Sequence, residues 1–300
     1  LEYRAVTKLK STYVDGLIPY IDNKGRIHSY FHQTVTATGR ISSTEPNMQN
    51  IPTRTEMGKN LRKAFQAEKD HILVDADYSQ IELRVLAHIS KDKTMIEAFN
   101  HDEDIHTQAA SKVFNIPVEE VTKELRSKAK AVNFGIVYGI SDFGLGEQLN
   151  VSRKIAKEYI EQYLEKYKGI KHFMDNIIEI ARKQGYVETL FKRKREIPEL
   201  KSTNYMVRQF GNRVAMNTPI QGTAADIMKL AMIRVYELLK KEKMKSKMIL
   251  QVHDELLIET VPEEKDRVYQ ILKDCMENVI HLEVPLKIEI SEGKNWCEAK

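Results

Sequence analysis

The feature that most constrains the fold is a short apolar strand that ends in acidic residues and passes at once into a helix. Residues 72–77, Ile-Leu-Val-Asp-Ala-Asp, have the composition of a buried strand, and apolar residues recur at helical spacing from Ile81 onward. Ser79 followed three residues later by Glu82 matches a capping box, which predicts a helix start here. The strand is therefore expected to end within a residue or two of Asp77.

A second acidic pair lies at the predicted tip of a hairpin late in the chain. Residues 248–252 and 255–259 are typical of two strands, and His253 and Asp254 separate them. Asp tolerates the positive backbone angles that tight turns require. If the hairpin and the first strand are neighbours in one sheet, Asp77, Asp254 and Glu255 can share divalent metal ions. The alternative is a set of unrelated surface acids, the more frequent meaning of a single Asp near a strand end.

The pattern along the rest of the chain indicates two lobes. The 300 residues, 42% of them hydrophobic, exceed the usual size of one compact domain. Residues 34–56 are typical of an ordered polar loop, and residues 91–205 of helices separated by short polar breaks with almost no strand signal. Toward the end of the chain we predict a long amphipathic helix over 223–244, a helix over 263–281 and a last strand over 286–290.

Charge and cysteine content exclude some classes of protein. A net charge of +4 describes an ordinary surface, and the two local basic runs, 192–195 and 240–247, fit solvated surface and phosphate contact equally well. Cys275 and Cys297 lack a paired spacing, which argues against a zinc site or a disulfide framework and fits a reducing cytosol. No apolar stretch reaches membrane-spanning length, and the start of the chain lacks the apolar run of a signal peptide. The chain also begins without Met inside a predicted helix, so we expect a fragment of a longer soluble protein.

Four residues recur at steps of four: Arg126, Lys130, Phe134 and Tyr138. That spacing keeps them on one slowly drifting helix face. Two cations four residues apart repel by about 0.2–0.5 kcal/mol, so an anion on this face would relieve them. Gly135 in the same helix costs up to about 1 kcal/mol relative to Ala, which predicts a close approach there. The face suits a nucleoside triphosphate, and the alternative is a solvated basic edge beside two core aromatic rings.

A third group supplies hydrogen-bond donors: Arg40 in the polar loop, and Arg213, Asn217 and Gln221 before the predicted long helix. Acceptors on the minor-groove edge are equivalent in every Watson–Crick pair, so donors there can test pair geometry without reading sequence. Taken singly, each residue fits a loop-stabilising hydrogen bond better. Their combination favours contact with a duplex.

These segments resemble the family A DNA polymerases. Residues 77–84 are similar to the family's first catalytic motif, residues 126–139 to its nucleotide-binding finger helix, and residues 251–256 to its last catalytic motif. Residues 36–44 and 217–223 match further family segments. The motifs occur in the family's order, and the resemblance covers essentially the whole chain.

The resemblance implies an α+β fold of the right-hand polymerase type. Its antiparallel palm sheet would be flanked by helices, with an inserted all-helical fingers lobe. The implied divisions are the base of the thumb and the start of the palm (1–30), the first part of the palm (31–90), the fingers (91–205) and the second part of the palm (206–300). The family's exonuclease domain and most of its thumb would precede Leu1, so we expect no exonuclease chemistry from this chain.

The resemblance also implies a DNA-templated DNA polymerase of replication and repair that joins a dNTP to a primer 3′-hydroxyl with two Mg²⁺ ions. Implied catalytic residues are Asp77, Asp254, Glu255 and Lys130, and the implied metal ligands are Asp77, Asp254 and the carbonyl of Tyr78. Implied nucleotide contacts are Arg126, Lys130, Phe134, Tyr138, Glu82, His106 and Gln80. Implied DNA contacts are Arg40, Arg213, Asn217, Gln221 and His253.

Some of these expectations have open alternatives. By resemblance Glu82 lies beneath the incoming sugar and excludes ribonucleotides. For His106, a structural role is as reasonable as the implied phosphate contact. Asp75 has no assigned role. The expected partners are primer–template DNA and dNTPs, with no membrane, and the protein is expected to be a monomer in the bacterial cytoplasm, associated with the nucleoid. Two rival functions remain, a single-subunit RNA polymerase and a non-catalytic DNA-binding fragment. Glu82, the polar loop and the sequence around Tyr138 favour the DNA enzyme over the RNA enzyme.

Overall fold

The structure, a computed structural model, describes residues 2–52 and 56–300. Its α-helices are α1 (Glu2–Leu9), α2 (Glu56–Arg62), α3 (Ile81–Ser90), α4 (Lys93–Asn100), α5 (Ile105–Phe114), α6 (Lys123–Val137), α7 (Asp142–Leu149), α8 (Arg153–Lys166), α9 (Lys168–Gln184), α10 (Tyr205–Lys241) and α11 (Lys265–Glu277). Its strands are β1 (Tyr30–His32), β2 (Ser42–Thr44), β3 (Ile72–Tyr78), β4 (Tyr186–Glu188), β5 (Lys194–Glu196), β6 (Lys247–Val252), β7 (Glu255–Thr260) and β8 (Ile288–Gly293). In the described part of the chain, no helix is both long and apolar enough to cross a membrane.

The chain divides into two compact units. The first unit comprises Leu1–Ser79, Ile227–Val279 and Lys287–Lys300, and the second comprises Gln80–Asp226 and Ile280–Leu286. The first unit is therefore assembled from both ends of the chain, while most of the second is one continuous segment. Helix α10 contributes its first part to the second unit and its last part to the first.

A four-stranded antiparallel sheet in the order β6-β7-β3-β8 is the centre of the first unit. Strand β3 pairs with β7 on one side and β8 on the other, and its residues Leu73, Val74 and Ala76 are buried. This burial explains the apolar run at the start of β3, while from Val74 to Tyr78 apolar or aromatic residues alternate with Asp75 and Asp77. The predictions that a strand ends near Asp77 and that the late hairpin is its neighbour are confirmed.

The hairpin β6–β7 has the predicted two-residue turn, since Val252 pairs with Glu255 across His253 and Asp254. The positive backbone angle, however, belongs to His253, with φ of 54°. The helix and strand that follow are shorter or later than predicted: α11 covers Lys265–Glu277, and β8 covers Ile288–Gly293. Such shifts of a few residues at element ends are common, because helix and strand termini fray.

The predicted capping box at Ser79 is wrong. The N-cap of α3 is Gln80, whose backbone is left-handed with φ of 56° and ψ of 41°, and whose side chain makes no capping hydrogen bond. The backbone N–H of Ser79 instead donates to the carbonyl of Lys287 at 2.8 Å, which extends the sheet contacts past the end of β3. Glu82 is therefore the second helical residue rather than the third.

The second unit is mostly helical, as predicted, and polar residues begin its helices. The side chains of Asp92, Asp104, Thr122, Ser141 and Ser152 each accept a backbone N–H from the first turn of α4, α5, α6, α7 and α8. Such caps each stabilise a helix by about 1 kcal/mol. The unit also contains a short antiparallel hairpin, β4–β5, inside the stretch predicted to have almost no strand.

Helix α10 differs most from expectation, because it begins at Tyr205 rather than at Thr223. Pro219 lies within it and removes the N–H that would bond to the carbonyl of Ala215, a loss worth about 3 kcal/mol. Burial outweighs this loss, since Val214, Ala215, Ile220 and Ala224 are all within the core. The sequence signal for a break at Pro219 and Gly222 is therefore overridden by packing.

Candidate active site

The ends of β3 and β7 bring the predicted metal-binding acids to one edge of the sheet in the first unit. Asp77 is the ladder partner of Glu255, and the backbone N–H of Tyr78 donates to the carbonyl of Asp254 at 3.0 Å. The side chains of Asp77 and Asp254 are 45% and 29% exposed, whereas that of Glu255 is 4% exposed. Two accessible carboxylates with a buried third one make a concentrated negative site.

Cationic side chains surround this acidic edge. The ammonium of Lys300 contacts Glu255 and lies 3.6 Å from Asp77 Oδ2. Arg62 Nη1 lies 3.7 Å from Glu255 Oε1, and Arg40 Nη2 lies 3.9 Å from Asp254 Oδ1. Neighbouring carboxylates repel one another unless cations neutralise them, so these three side chains offset the repulsion among the acids.

Asp75 lies on β3 two residues before Asp77 and is buried. Burial raises the pKa of this carboxyl to about 7; the nearby Lys300 charge opposes that rise and the Asp77 charge adds to it. One of its oxygens, Oδ1, has no hydrogen-bond partner among the described residues. Asp75 is therefore part of the buried charge cluster behind the edge rather than an accessible ligand.

The donors at this edge suit a hard divalent cation such as Mg²⁺. They are carboxylate oxygens and a backbone carbonyl, and the buried Glu255 Oε1 lacks a hydrogen-bond partner within the described residues. No group of three or more His, Cys, Asp or Glu side chains in residues 2–52 and 56–300 is arranged to hold a metal ion. The expectation that Asp77, Asp254 and Glu255 share metal ions as a group of three is therefore not met, and the smaller set of Asp77, Asp254 and the Tyr78 carbonyl stays a prediction.

Buried hydrogen bonds hold this edge in place. The hydroxyl of Tyr78 donates to the carbonyl of Met276 in α11 at 2.7 Å, and burial raises the pKa of this phenol well above its usual range. At the hairpin tip, the amide of Gln251 donates to the carbonyl of His253 at 2.6 Å, and Gln49 donates to Gln251 in turn. The acids are thus mounted on backbone that has little freedom.

In the second unit, α6 carries the predicted nucleotide-binding face. Arg126, Lys130 and Phe134 lie within the helix, and Tyr138 is its C-terminal cap. Lys130 and Tyr138 are exposed, and Lys130 Nζ lies 6.0 Å from the Phe134 ring centroid. The helix thus presents cations in its first half and aromatic rings in its second, as predicted.

Arg126 has an anionic partner within the protein. Its Nη2 lies 2.7 Å from Asp104 Oδ2, and its Nε donates to the same oxygen at 2.8 Å. The other oxygen of Asp104 accepts the backbone N–H groups of His106 and Thr107 at the start of α5. The expected repulsion between Arg126 and Lys130 is therefore relieved by Asp104.

His106 is buried between α5 and α6, and the structure favours the structural alternative for it. The side-chain amide of Asn133 makes a buried hydrogen bond with His106 Nδ1 at 2.9 Å. Burial is the main cause that lowers the pKa of this imidazole to about 4; the charge of Asp104 opposes the shift, and the cations Lys130 and Arg126 add to it. The ring also packs against Phe134, with centroids 5.8 Å apart.

Glu82 and Tyr138 form a direct pair. The hydroxyl of Tyr138 donates to Glu82 Oε2 at 2.8 Å, and Glu82 is buried while Tyr138 is 44% exposed. Gln80, at the start of the same helix as Glu82, has a buried Oε1 without a hydrogen-bond partner among the described residues. The first turn of α3 and its N-cap therefore carry two of the expected nucleotide contacts, the buried Glu82 and the Gln80 amide.

The close approach predicted at Gly135 exists, but it is made by the protein itself. A Cβ atom at this position would lie 2.6 Å from Cγ2 of Ile140. Gly135 therefore allows Ile140 to pack closely against α6 where the chain returns.

The donors Arg213, Asn217 and Gln221 lie inside α10 rather than before it, at intervals of four that put them on one helix face. Asn217 also donates its amide to the carbonyl of Val137 at 3.4 Å. Arg40 belongs to the first unit, whereas these three belong to the second.

The basic run 192–195 divides by strand alternation. Arg193 and Arg195 donate to side chains or carbonyls of α10, while Lys192 and Lys194 are exposed and lie 3.7 and 3.9 Å from Glu188. The arginines of this run are therefore structural. The run 240–247 begins at the end of α10, where Lys240 lies 5.9 Å from the Tyr236 ring.

Sequence reasoning missed several residues of the site: Gln49, Arg62, Asp104, Gln251 and Lys300 in supporting positions. Gln49, Arg62 and Lys300 reach the site through contacts between distant segments, so local pattern gave no signal for them. Asp104 could have been found, since Asp before an apolar helix start is a cap signature.

The fold, the acids at the sheet edge and the cations and aromatic rings of α6 are together typical of the right-hand polymerase class. Comparisons with known proteins agree. Residues 1–298 match the sequence profile of DNA polymerase family A, and the chain belongs to that family. It is 56% identical over 301 residues to DNA polymerase I of Caldicellulosiruptor bescii, covering 100% of this chain and 35% of that protein. It is 50% identical over 302 residues to DNA polymerase I of Bacillus subtilis, covering 100% and 34%. The chain thus spans about a third of the length of these relatives.

A solved structure matches the fold. The polymerase domain of Pol1 from M. smegmatis, in complex with DNA primer–template and dNTP, superposes with a TM-score of 0.95 at 46% identity and covers 99% of this chain and 52% of that one. The predicted α+β polymerase fold is confirmed. The relatives are DNA polymerases, which does not favour the RNA polymerase alternative.

Proposed function

We propose that this chain is a DNA-templated DNA polymerase that transfers a nucleotide from a dNTP to a primer 3′-hydroxyl with two divalent metal ions. The observation that carries the proposal is the ladder pairing of Asp77 with Glu255, with Asp254 at the adjacent turn. Family membership supports it, and the metal use of family A polymerases supports a divalent cofactor.

The first unit supplies the acids of the reaction. Asp77, Asp254 and the Tyr78 carbonyl would hold two Mg²⁺ ions, which when bound lower the pKa of the primer hydroxyl and stabilise the departing pyrophosphate. Glu255, buried behind them, keeps negative charge next to the ligands. Arg40, which faces Asp254, and His253, exposed at the turn, are the proposed DNA contacts of this unit.

The second unit supplies the groups that bind the nucleotide. Arg126 and Lys130 would neutralise charge on the triphosphate, and Lys130 is the proposed proton donor to pyrophosphate. Phe134 and Tyr138 would pack beside the base and sugar, with Gln80 nearby in α3. Glu82, held by Tyr138, would exclude a ribose 2′-hydroxyl. His106 would act by packing against Phe134 rather than by touching phosphate.

Duplex geometry is the proposed target of Arg213, Asn217 and Gln221. Donors on one face of α10 can reach the acceptors that all Watson–Crick pairs share in the minor groove. The same proposal includes the division into thumb base, palm and fingers and a role in replication and repair. It also includes a monomeric state and a bacterial cytoplasmic location.

The test is extension of a labelled primer–template by the 300-residue chain. We expect addition of the templated deoxynucleotide with Mg²⁺, loss of addition with excess chelator, and much slower addition of the matching ribonucleotide. Mg²⁺-dependent binding of the duplex without any extension would support the rival reading of a DNA-binding fragment. Preference for ribonucleotides would support an RNA polymerase.

A further inference from the structure

The hairpin β4–β5 contacts the weakest part of helix α10. Pro219 removes one hydrogen bond there, and Gly222 adds backbone freedom, so this segment has the lowest intrinsic helical stability in α10. Asn217 and Gln221 lie on either side of Pro219. Two of the three proposed duplex-testing donors are therefore mounted on the least stable part of the helix.

Four hydrogen bonds join the hairpin to this segment. Arg195 Nη1 donates to Thr218 Oγ1 at 3.0 Å, and the backbone N–H of Leu190 donates to Thr223 Oγ1 at 3.0 Å. Arg193 makes the other two, from Nη2 to the carbonyl of Gly222 at 2.8 Å and from Nε to Asp226 Oδ1 at 2.9 Å. The contacts cover α10 from Thr218 to Asp226.

Apolar packing supports the same contact. Val187 of β4 and Ile197, just after β5, are buried in one cluster with Val214 and Ala215 of α10. The polar bonds therefore form at the border of a packed interface, where Asp226 is 13% exposed and competing water is limited. A hairpin packed and bonded in this way can hold this part of α10 in one position.

The faces involved are adjacent on the helix. Thr218, Gly222 and Asp226 repeat at intervals of four, as do Asn217 and Gln221, and the two rows differ by one residue. One residue is a rotation of about 100°, so the hairpin holds one side of α10 while the donor row remains uncovered by it. Asn217 has a second restraint, since its amide donates to the carbonyl of Val137.

We infer that Arg193 is a positioning residue for the donor row of α10, and that it sets how strictly the protein distinguishes a paired from a mispaired primer end. Arg193 acts through the helix: it bridges the Gly222 carbonyl and the Asp226 carboxylate and so compensates for the break that Pro219 makes. Lys at this position keeps the charge but cannot span both acceptors with one planar group. This inference rests on the proposed function of Arg213, Asn217 and Gln221.

The first experiment measures the helix and does not depend on activity. Amide hydrogen exchange over residues 217–226 is compared in the unsubstituted chain, Arg193→Met and Arg193→Lys. We expect exchange at least about 10-fold faster in the Met variant and an intermediate increase in the Lys variant. Arg153→Met is the control, because Arg153 Nε also donates to an Asp carboxylate, that of Asp142 at 2.8 Å, in a more exposed pair away from α10. Unchanged exchange in Arg193→Met overturns the inference.

The second experiment measures primer extension from matched and mismatched primer ends with the same variants. We expect Arg193→Met to lower the matched-to-mismatched rate ratio by about 10-fold, since small displacements of a positioned group cost large factors in rate. Its dissociation constant for the duplex should change less than about 2-fold. An equal rate loss for matched and mismatched primer ends, or a large loss of affinity for the duplex, would indicate that Arg193 contacts the DNA backbone and overturns the inference. Failure of the unsubstituted chain to extend any primer instead overturns the proposed function. The exchange experiment still decides whether Arg193 stabilises residues 217–226 of α10.

Discussion

Asp77 and Asp254 differ from the acids around them in being accessible while resting on rigid backbone. Asp75 and Glu255 are buried in the same cluster, and Asp75 has a pKa raised to about 7 by that burial. A metal approaching from solvent can therefore reach Asp77 and Asp254 first. This difference in exposure separates the proposed ligands from the supporting acids more clearly than residue type does.

We expect Asp77→Asn and Asp254→Asn each to slow primer extension by at least about 1,000-fold, or ~4 kcal/mol, because each removes a proposed ligand of the metal ions. Single-turnover extension measures the rate, and thermal unfolding should remain close to that of the parent. Asp175→Asn is the matched control, since Asp175 pairs with Lys171 on the exposed side of α9. A near-normal rate in either site variant would reject the two-metal assignment.

The pair of Glu82 and Tyr138 allows stability and sugar selection to be separated. Tyr138→Phe removes a hydrogen bond to a buried carboxylate but leaves the bulk of Glu82, so we expect a loss of about 1–2 kcal/mol in stability and little change in ribonucleotide rejection. Glu82→Ala removes the bulk, so ribonucleotide incorporation should become easier. Glu82→Gln keeps the size and should largely preserve selection.

Denaturant unfolding and competition between matched ribo- and deoxynucleotides are the two measurements for this set. If Glu82→Ala rejects ribonucleotides as strongly as the parent, Glu82 is a structural partner of Tyr138 and nothing more.

At the scale of elements, the contact between α5 and α6 depends on a neutral imidazole. His106 has a pKa of about 4 because it is buried, and Asp104, Arg126 and Lys130 are the charged groups nearest to it. Its ordinary pKa of about 6.5 returns on unfolding, so the unfolded chain binds more protons between these two values. Stability from this residue is present above about pH 6.5 and is lost as pH falls toward 4.

We therefore expect the parent to lose about 2 kcal/mol more than His106→Gln when the pH is lowered from 7.5 to 5.0. Gln keeps a polar group beside Asn133 but does not titrate. Urea unfolding at the two pH values gives the difference, and His172→Gln, at an exposed position on α9, is the control. An equal pH dependence in the parent and His106→Gln would show that the imidazole is not buried in its neutral form.

Elements with strong local signals were predictable from the sequence, and those that depend on distant packing were not. Strand β3 and the hairpin β6–β7 follow from apolar runs and a two-residue turn. The start of α10 was missed because Pro219 and Gly222 are breakers in isolation, and only burial of residues such as Ala215 keeps the helix intact. The left-handed backbone at Gln80 moved the cap of α3 for the same reason, because sheet contacts engage Ser79.

For the whole molecule, chain order and spatial order differ between the two units. The first unit joins β3 to β7 and β8, which come from far along the chain, whereas the second is mostly the continuous segment Gln80–Asp226. Contacts between distant segments form slowly, because long loops must close first. The acids at the end of β3 and β7 are therefore expected to reach their final positions later in folding than helix α6.

A stability measurement on the whole chain can detect metal binding without activity. If Mg²⁺ binds only the folded chain, a free Mg²⁺ concentration of about 100 times the dissociation constant stabilises the fold by about 2.7 kcal/mol. We expect MgCl2 to raise the unfolding temperature by several degrees over NaCl of equal ionic strength, and Asp77→Asn to lose most of that increase. The same increase in the variant would place the bound ion elsewhere.

The ion pair between Asp104 and Arg126 has a further consequence, for the kind of anion that α6 can accept. Any incoming anion competes with a carboxylate already seated on the guanidinium and anchored to the first turn of α5. Chloride brings one diffuse charge and gains little from such an exchange, whereas a triphosphate brings several charges and can occupy Arg126 and Lys130 together. We therefore expect the internal pair to make the helix favour polyphosphates over monovalent anions such as chloride.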